Sequence, residues 1–429
     1  MDDAGLSALL HRHASRRPVP GAALGVLRDG EATTVCFGVA DVRTGEPVTP
    51  RTRFSVGSLT KSMVATVIAR LTGQGRLASS DPVAECVSEL RGADWARRST
   101  VADLLANRSG LPLLTDLEFG FDARIGQDDA ALSRFAGEIG AAGAGPSIWS
   151  YTNAGWCVLG RGIETVTDSG WEDAMRRHLF EPLGMTGTAF RGHPPAAPLA
   201  WGHEVSEAGA VPVDPLTARA YGPAGTTLVA TVEDLLRFAG LHLGDDSLAW
   251  LRVPQAEVGI HGWLDSWCSG WAHWDWHGHP VWGWDGLVPG ERLMLRFLPD
   301  ERAAVVFATN GSTGRELYRS LFSELVPALF GIEFPRLRLK PVGPPGDLAP
   351  FAGTYGWRDR RMEVTAAAGG LRLSGDDYER REALPLGRRA FLVDPADPDS
   401  PAVTFGEFDA AGRPQVLYIM LWGLPRLDG

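Results

Sequence analysis

Ser58 and Lys61, in the run Ser58-Leu59-Thr60-Lys61, are the first residues whose types and spacing can do chemistry. Residues three apart on a helix share a face, so a single turn brings the Ser58 hydroxyl to the Lys61 amine. A hydroxyl is a poor nucleophile until a base takes its proton, and a neutral, partly desolvated lysine can be that base. The positive end of a helix also favours negative charge developing at its start. Serine and lysine at this spacing are common by chance, so spacing alone says little. Composition adds weight: of 41 basic residues only two are lysine, Lys61 and Lys340. Arginine stays protonated in proteins whereas lysine can lose its proton. A lysine kept among arginines therefore suggests a task arginine cannot do, with chance retention as the alternative.

Two further groups are candidates. In IWSYTNAGWCVLG, Tyr151 is one of six tyrosines in the chain. A phenol beside a lysine ammonium can have a lowered pKa and relay protons, and the Asn153 amide can hydrogen-bond a substrate. The alternative is structural, with Asn153 capping the following helix and Tyr151 packed in the core. In VWGWDGLVPGE, Trp284-Asp285-Gly286 forms the third group. Gly286 allows close backbone approach to a substrate, and the Leu287 N–H is a candidate to pair with the Ser58 N–H as an oxyanion hole.

These residues need elements to hold them. GAALGVLRDGEATTVCFGVAD reads as a hairpin around Asp29-Gly30. Met63, Val64, Val67, Ile68 and Leu71 fall at helical spacing behind Ser58, and Gly73 and Gly75 end that helix. From Arg76 to about Gly225 the pattern is mostly helical. TVEDLLRFAGLHLG reads as a helix with Thr231 as N-cap and Asp234 completing a capping box. Strand character returns in SGWAHWDWHG, in HPVWGW after a His-Gly-His-Pro turn, and in RLMLRFLP and AAVVFATN around PDER. GRELYRSLFSELVPALFG closes the region as an amphipathic helix. The expected architecture is α/β (α+β): one antiparallel sheet built from both ends of the region, flanked by helices, with a helical insertion over about 76–225. The expected domains are 1–334, a Pro/Gly-rich linker at 335–350, and a small all-β domain over 351–429.

Composition excludes several classes. A net charge of -11 argues against nucleic acid and anionic membranes, which select basic faces. No apolar run approaches the roughly 20 residues needed to span a bilayer. The start, MDDAGLSALLHRHASRRP, does not resemble a secretory signal, so a cytoplasmic protein is expected. Cys36, Cys86, Cys157 and Cys268 have no CxxC spacing and read as reduced thiols. No cofactor is implied.

The chain resembles the serine β-lactamase and penicillin-binding-protein superfamily, closest to its class C β-lactamase, D-aminopeptidase and family VIII carboxylesterase branch. The resemblance covers roughly residues 8–330. It rests on VPGAALGVLRDG, FSVGSLTKSMVATVIARLTGQGRL, VADLLANRSGLP, YTNAGWCVLGRGIE, EPLGMTGTAF, GPAGTTLVATVEDLLRF and GWDGLVPGE…VVFATN, in the family's order. It implies a β-lactamase-like fold with the site in the cleft between sheet and helices. It implies an acyl-enzyme mechanism with Ser58 as nucleophile, Lys61 as its base, Tyr151 as proton relay to the leaving group, and Asn153 orienting substrate. The 351–429 region is similar to the lipocalin-like domain some members carry.

Two positions depart from the family. Trp284 stands where lysine or histidine is usual, and it cannot supply the charge that binds a substrate carboxylate. That favours an ester or other uncharged acyl substrate over β-lactam hydrolysis. Asn107 replaces a usual histidine, with a structural effect expected. The resemblance implies a small-molecule acyl donor and leaves water or an amine as acceptor, the latter as in penicillin-binding-type thioesterases and transacylases of biosynthetic pathways. A D-amino-acid peptidase or amidase and a catalytically silent ligand-binding protein are the alternatives.

The stretch Gly270 to Gly286 holds five tryptophans and three histidines. His273, His277 and His279 lack a recognised metal-ligand spacing, so no metal is expected. The tryptophans are expected to pack mostly beneath helices or beneath a second domain, with one or more besides Trp284 lining the cleft as the alternative.

Overall fold

A computed structural model describes residues 1–111, 125–142, 148–192, 198–260, 264–335, 340–342, 346–357, 360–375, 378–393 and 402–428. Parts of the expected linker, 336–339 and 343–345, lie outside the described residues.

The N-terminal hairpin forms as its turn residues require. Gly21–Arg28 pairs with Glu31–Asp41 around Asp29 and Gly30, whose φ values of 50° and 88° suit a two-residue hairpin turn. Gly21–Arg28 then pairs antiparallel with Ala303–Thr309, so the two ends of the region meet in mid-sheet. Among the described residues the sheet has nine antiparallel strands. Its order is Glu46–Pro47, Glu31–Asp41, Gly21–Arg28, Ala303–Thr309, Glu291–Leu298, His279–Val288, Ala272–Trp276, Leu264–Trp267, Ala256–Ile260.

Two layers cover this sheet. On one face the end helices Asp3–Ala14 and Gly314–Phe330 enclose a core including Leu10, Val305, Phe307, Leu321 and Phe322. On the other, Val232–Gly244, Thr60–Gly73 and Asn153–Thr167 contribute to a larger core with Leu293, Leu295, Phe297 and Trp284. Thr60–Gly73 is buried from Thr60 to Ala69, including its polar residues, as suits a helix enclosed on all sides. The region expected as a helical insertion also carries short strands at Ala189–Phe190, His203–Ser206 and Gly209–Pro212, and Leu228–Ala230 follows just beyond it.

Several local expectations are refined. Thr231 caps its helix by accepting from Asp234 N–H, but the Asp234 carboxylate takes Thr188 Oγ1 and Arg237 rather than completing a capping box. The turn expected at His-Gly-His-Pro closes on His277 and Gly278, with Trp276 opposite His279. All four cysteines are unpaired.

Among the described residues the C-terminal region forms eight antiparallel strands in sequence order, Gly353–Trp357 to Trp422–Pro425. The first and last meet through a Tyr355–Arg426 bridge and a Leu427 N–H to Thr354 carbonyl bond, giving a nearly closed barrel that fits a lipocalin-like domain. Its core is separate, built from Phe351, Tyr355, Phe391, Phe405 and Leu417 among others. The run VLYIMLW is not one strand. It turns at Met420 and Leu421, with Ile419 opposite Trp422 and Met420 at φ 52°.

Candidate active site

Ser58 sits in a 3-10 turn, Gly57–Leu59, that runs into the buried helix Thr60–Gly73. Gly57 has φ 58°, and a Cβ there would lie 2.8 Å from both Gly286 Cα and Leu287 N. A Cβ on Gly286 would lie 2.1 Å from the Val56 carbonyl oxygen. Turn and strand therefore touch backbone to backbone, which glycine alone permits. The contact brings the Leu287 amide against the turn that presents Ser58.

The chain entering this turn is tied down by a buried ion pair. The Ser55 amide and hydroxyl donate to Glu291 at 2.8 and 2.7 Å, and Arg191 donates to Ser55 Oγ and to Glu291 at 2.7 and 3.0 Å. Burial pushes the Glu291 carboxyl up against the pull of Arg191, and pushes Arg191 down. The hydrogen bonds of this pair to the Ser55 amide and hydroxyl fix the backbone that enters the turn.

Lys61 is fully buried, and its Nζ donates to Ser58 Oγ at 3.0 Å and to the Ala224 carbonyl at 2.6 Å. Nζ also lies 5.1 Å from the centre of the Tyr151 ring. The Tyr151 hydroxyl accepts from Trp284 Nε1 at 3.1 Å and lies close enough to Ser58 for the serine to pull its pKa down. The nucleophile, lysine and phenol expected from sequence are therefore brought together. The expected direction of the Tyr151 pKa is corrected. Burial raises it, outweighing the opposing hydrogen bonds from Ser58 and Trp284, so the group stays a phenol and a proton donor.

An aromatic lattice holds the phenol. Tyr151 packs edge-on against Trp267 with ring centres 5.7 Å apart and lies 5.4 Å from Trp284, while Trp267 and Trp284 are 4.9 Å apart. Trp267 and Trp149 carried no role in the sequence reading. Their aromatic type was visible, but their neighbours come from separate segments. Ala224 lay in the recognised GPAG run without an assigned task, and its carbonyl is now an anchor for Lys61.

The remaining candidates separate. Thr152, not Asn153, caps the following helix by accepting from Ala154 N–H at 3.2 Å. Asn153 is half-buried beside Tyr151, and its amide makes no hydrogen bond among the described residues. Trp284 is buried and spends its one polar atom on Tyr151. Asp285 does not join Ser58. Successive strand residues face opposite sides, and Asp285 turns to the other face, where it accepts from Arg296 at 2.6 Å. The Leu287 side chain is exposed. Asn107 lies at φ 54°, and its Oδ1 accepts from Trp156 Nε1 at 3.1 Å. His273 bonds Ser266 Oγ at 3.1 Å and lies on Trp282, while His279 lies 4.0 Å from Glu301. Among the described residues no helix is long and apolar enough to cross a membrane.

A family model described as Beta-lactamase matches residues 6–325. The chain belongs to the β-lactamase family. It is 33% identical to penicillin-binding protein 4 of Amycolatopsis lactamdurans over 79% of this chain and 93% of that protein. The crystal structure of SurE superposes with a TM-score of 0.81 at 29% identity over 99% of both chains. SurE with D-Leu gives 0.82 at 28% identity, again over 99% of both. The β-lactamase match ends before the barrel, whereas the SurE likeness includes it. The family is one of serine hydrolases sharing its fold with penicillin-binding proteins.

Proposed function

We propose that this chain forms an acyl-enzyme on Ser58 and passes the acyl group to water or to an amine. The observation that carries the reading is Ser58 Oγ held between Lys61 Nζ at 3.0 Å and the Tyr151 phenol. With its amine neutral, Lys61 takes the Ser58 proton as Oγ attacks the donor carbonyl. The amides of Ser58 and Leu287 are the donors assigned to the oxyanion. As the carbon–leaving-group bond breaks, Tyr151 gives its proton to the leaving group and regains one from Lys61. The acceptor then attacks the ester, its proton enters the same pair, and Ser58 leaves as a hydroxyl.

Trp284 supports the choice of substrate. Where the superfamily usually places a cation, this site presents a buried neutral ring whose N–H is already used. An ester or other uncharged acyl donor fits better than a substrate anchored by its carboxylate. Asn153, whose amide makes no hydrogen bond among the described residues, is assigned to orient the donor. A second reading, an acyl donor or amide bearing a D-amino-acid residue, is favoured by the likeness to SurE with D-Leu over nearly the whole chain.

Incubation with a fluorophosphonate is expected to add one adduct, at Ser58, by intact mass and peptide mapping. p-Nitrophenyl esters are expected to turn over. Ser58→Ala and Lys61→Ala should each lose nearly all turnover, about a thousandfold or more, because nucleophile and base act as a unit. Folded protein with no adduct and no turnover would overturn the proposal.

A further inference from the structure

Among the described residues the barrel meets the candidate site through the hairpin around Met420 and Leu421. The Leu421 carbonyl accepts the Tyr151 amide at 2.9 Å. Gly423 N–H donates to Ser150 Oγ at 3.3 Å. Tyr418 places its ring edge-on to Trp149, centres 6.1 Å apart. A Cβ on Gly423 would lie 2.4 Å from the Trp149 carbonyl oxygen. Leu421 and Tyr418 pack with the catalytic region's core rather than the barrel's own.

Three consecutive residues, Trp149, Ser150 and Tyr151, are thus held by the barrel. From the other side the Ser150 amide donates to the Asn107 carbonyl at 2.9 Å. Tyr151 lies just ahead of the Asn153–Thr167 helix and outside its hydrogen-bond ladder, so its backbone position depends on this clamp. The hairpin also keeps Met420 at φ 52°, a left-handed conformation that is strained for a residue with a Cβ. Such strain persists where surrounding contacts over-determine the backbone.

We propose that the Ile419–Trp422 hairpin is a positioning element for catalysis: the barrel sets the height of the Tyr151 phenol over Ser58 by holding residues 149–151. This rests on the acyl-enzyme reading, because it assigns the barrel's effect to Tyr151. It gives the barrel a task in the chemical step, distinct from binding a ligand of its own.

The test is a mutant cycle on the full chain with a p-nitrophenyl ester. Gly423→Ala forces the hairpin off the Trp149 carbonyl, and Tyr418→Leu removes the ring contact. Each is expected to lower kcat about tenfold with KM within threefold, while Tyr418→Phe, which keeps the ring, stays near wild type. In a Tyr151→Phe background the same substitutions should cost less than about twofold, because coupled residues are not additive. Unchanged kcat in folded Gly423→Ala and Tyr418→Leu would overturn the proposal, as would an equal loss in the Tyr151→Phe background. If Gly423→Ala does not fold, Tyr418→Leu carries the test. Retained turnover in Ser58→Ala would instead overturn the acyl-enzyme reading, a separate outcome.

Discussion

The two faces of the main sheet differ in what they bury. Apart from the Arg191–Glu291 pair beside Ser55, the face toward Ser58 is aromatic: Trp267, Trp271, Trp284 and Phe297 pack there, with His242 set among Phe238, Trp271 and Phe297. Burial holds His242 neutral, with a pKa pushed down to about 3. The face toward the end helices keeps a charge in its core. Arg296 pairs with Asp285, lies 4.1 Å from the Trp274 ring centre and contacts Tyr318, whose phenol burial pushes up to about 12. Burial works against the Arg296 charge, but Asp285 and Tyr318 more than offset it. The difference separates tasks. The phenol of Tyr151 is set among aromatic rings, and the Arg296–Asp285 pair lies on the opposite side of the sheet.

Four substitutions break or sharpen this contrast. The largest effect is expected from acid. The folded pKa of His242 lies below its unfolded value near 6.5, so its neutral form stabilises the fold above that pH and the contribution is lost as pH falls toward 3. Between pH 7 and 4.5 the wild type should lose roughly 2–3 kcal/mol from this group. Urea midpoints for His242→Leu should fall less over that interval, and an equal fall would remove His242 as the cause. Next comes the charged face. Asp285→Asn leaves Arg296 buried without its anion and should cost about 1–3 kcal/mol in chemical denaturation, with kcat near wild type. A large fall in kcat at unchanged stability would return Asp285 to the site.

Trp284→Phe keeps the ring and removes its N–H. Losing one hydrogen bond to the phenol should cost about 1 kcal/mol, seen as a several-fold to tenfold drop in kcat with little change in melting temperature. The smallest effect belongs to Leu287→Ala, whose exposed side chain should matter by less than about 0.5 kcal/mol. Its amide remains, so turnover should persist, and a collapse in rate would mean that the side chain, not the backbone, meets the substrate.

Much of this arrangement is legible in sequence because it depends on local rules. Asp29-Gly30 specifies its turn, the apolar spacing after Ser58 specifies its helix, and Ser58 and Lys61 meet because three residues span one turn. Other features fail for stated reasons. Asp285 was grouped with Trp284 by adjacency, although period-two alternation already sends neighbouring strand residues to opposite faces. The direction of the Tyr151 pKa depends on desolvation by residues from distant segments, which no local pattern records. The Met420–Leu421 turn carries no glycine or asparagine, and apolar residues run through it, so the last hairpin reads as one strand. Thr152 and Asn153 are both good capping residues, and only the backbone shows which one precedes the helix.

The scarcity of lysine has a practical consequence. Lys61 is wholly enclosed, and Lys340 is exposed. In the native protein an amine-reactive reagent therefore meets Lys340 and the amino terminus, while Lys61 becomes available only when the nucleophile helix parts from its surroundings. Labelling at Lys61 is a built-in clock for the opening of the catalytic centre, with Lys340 as its internal standard.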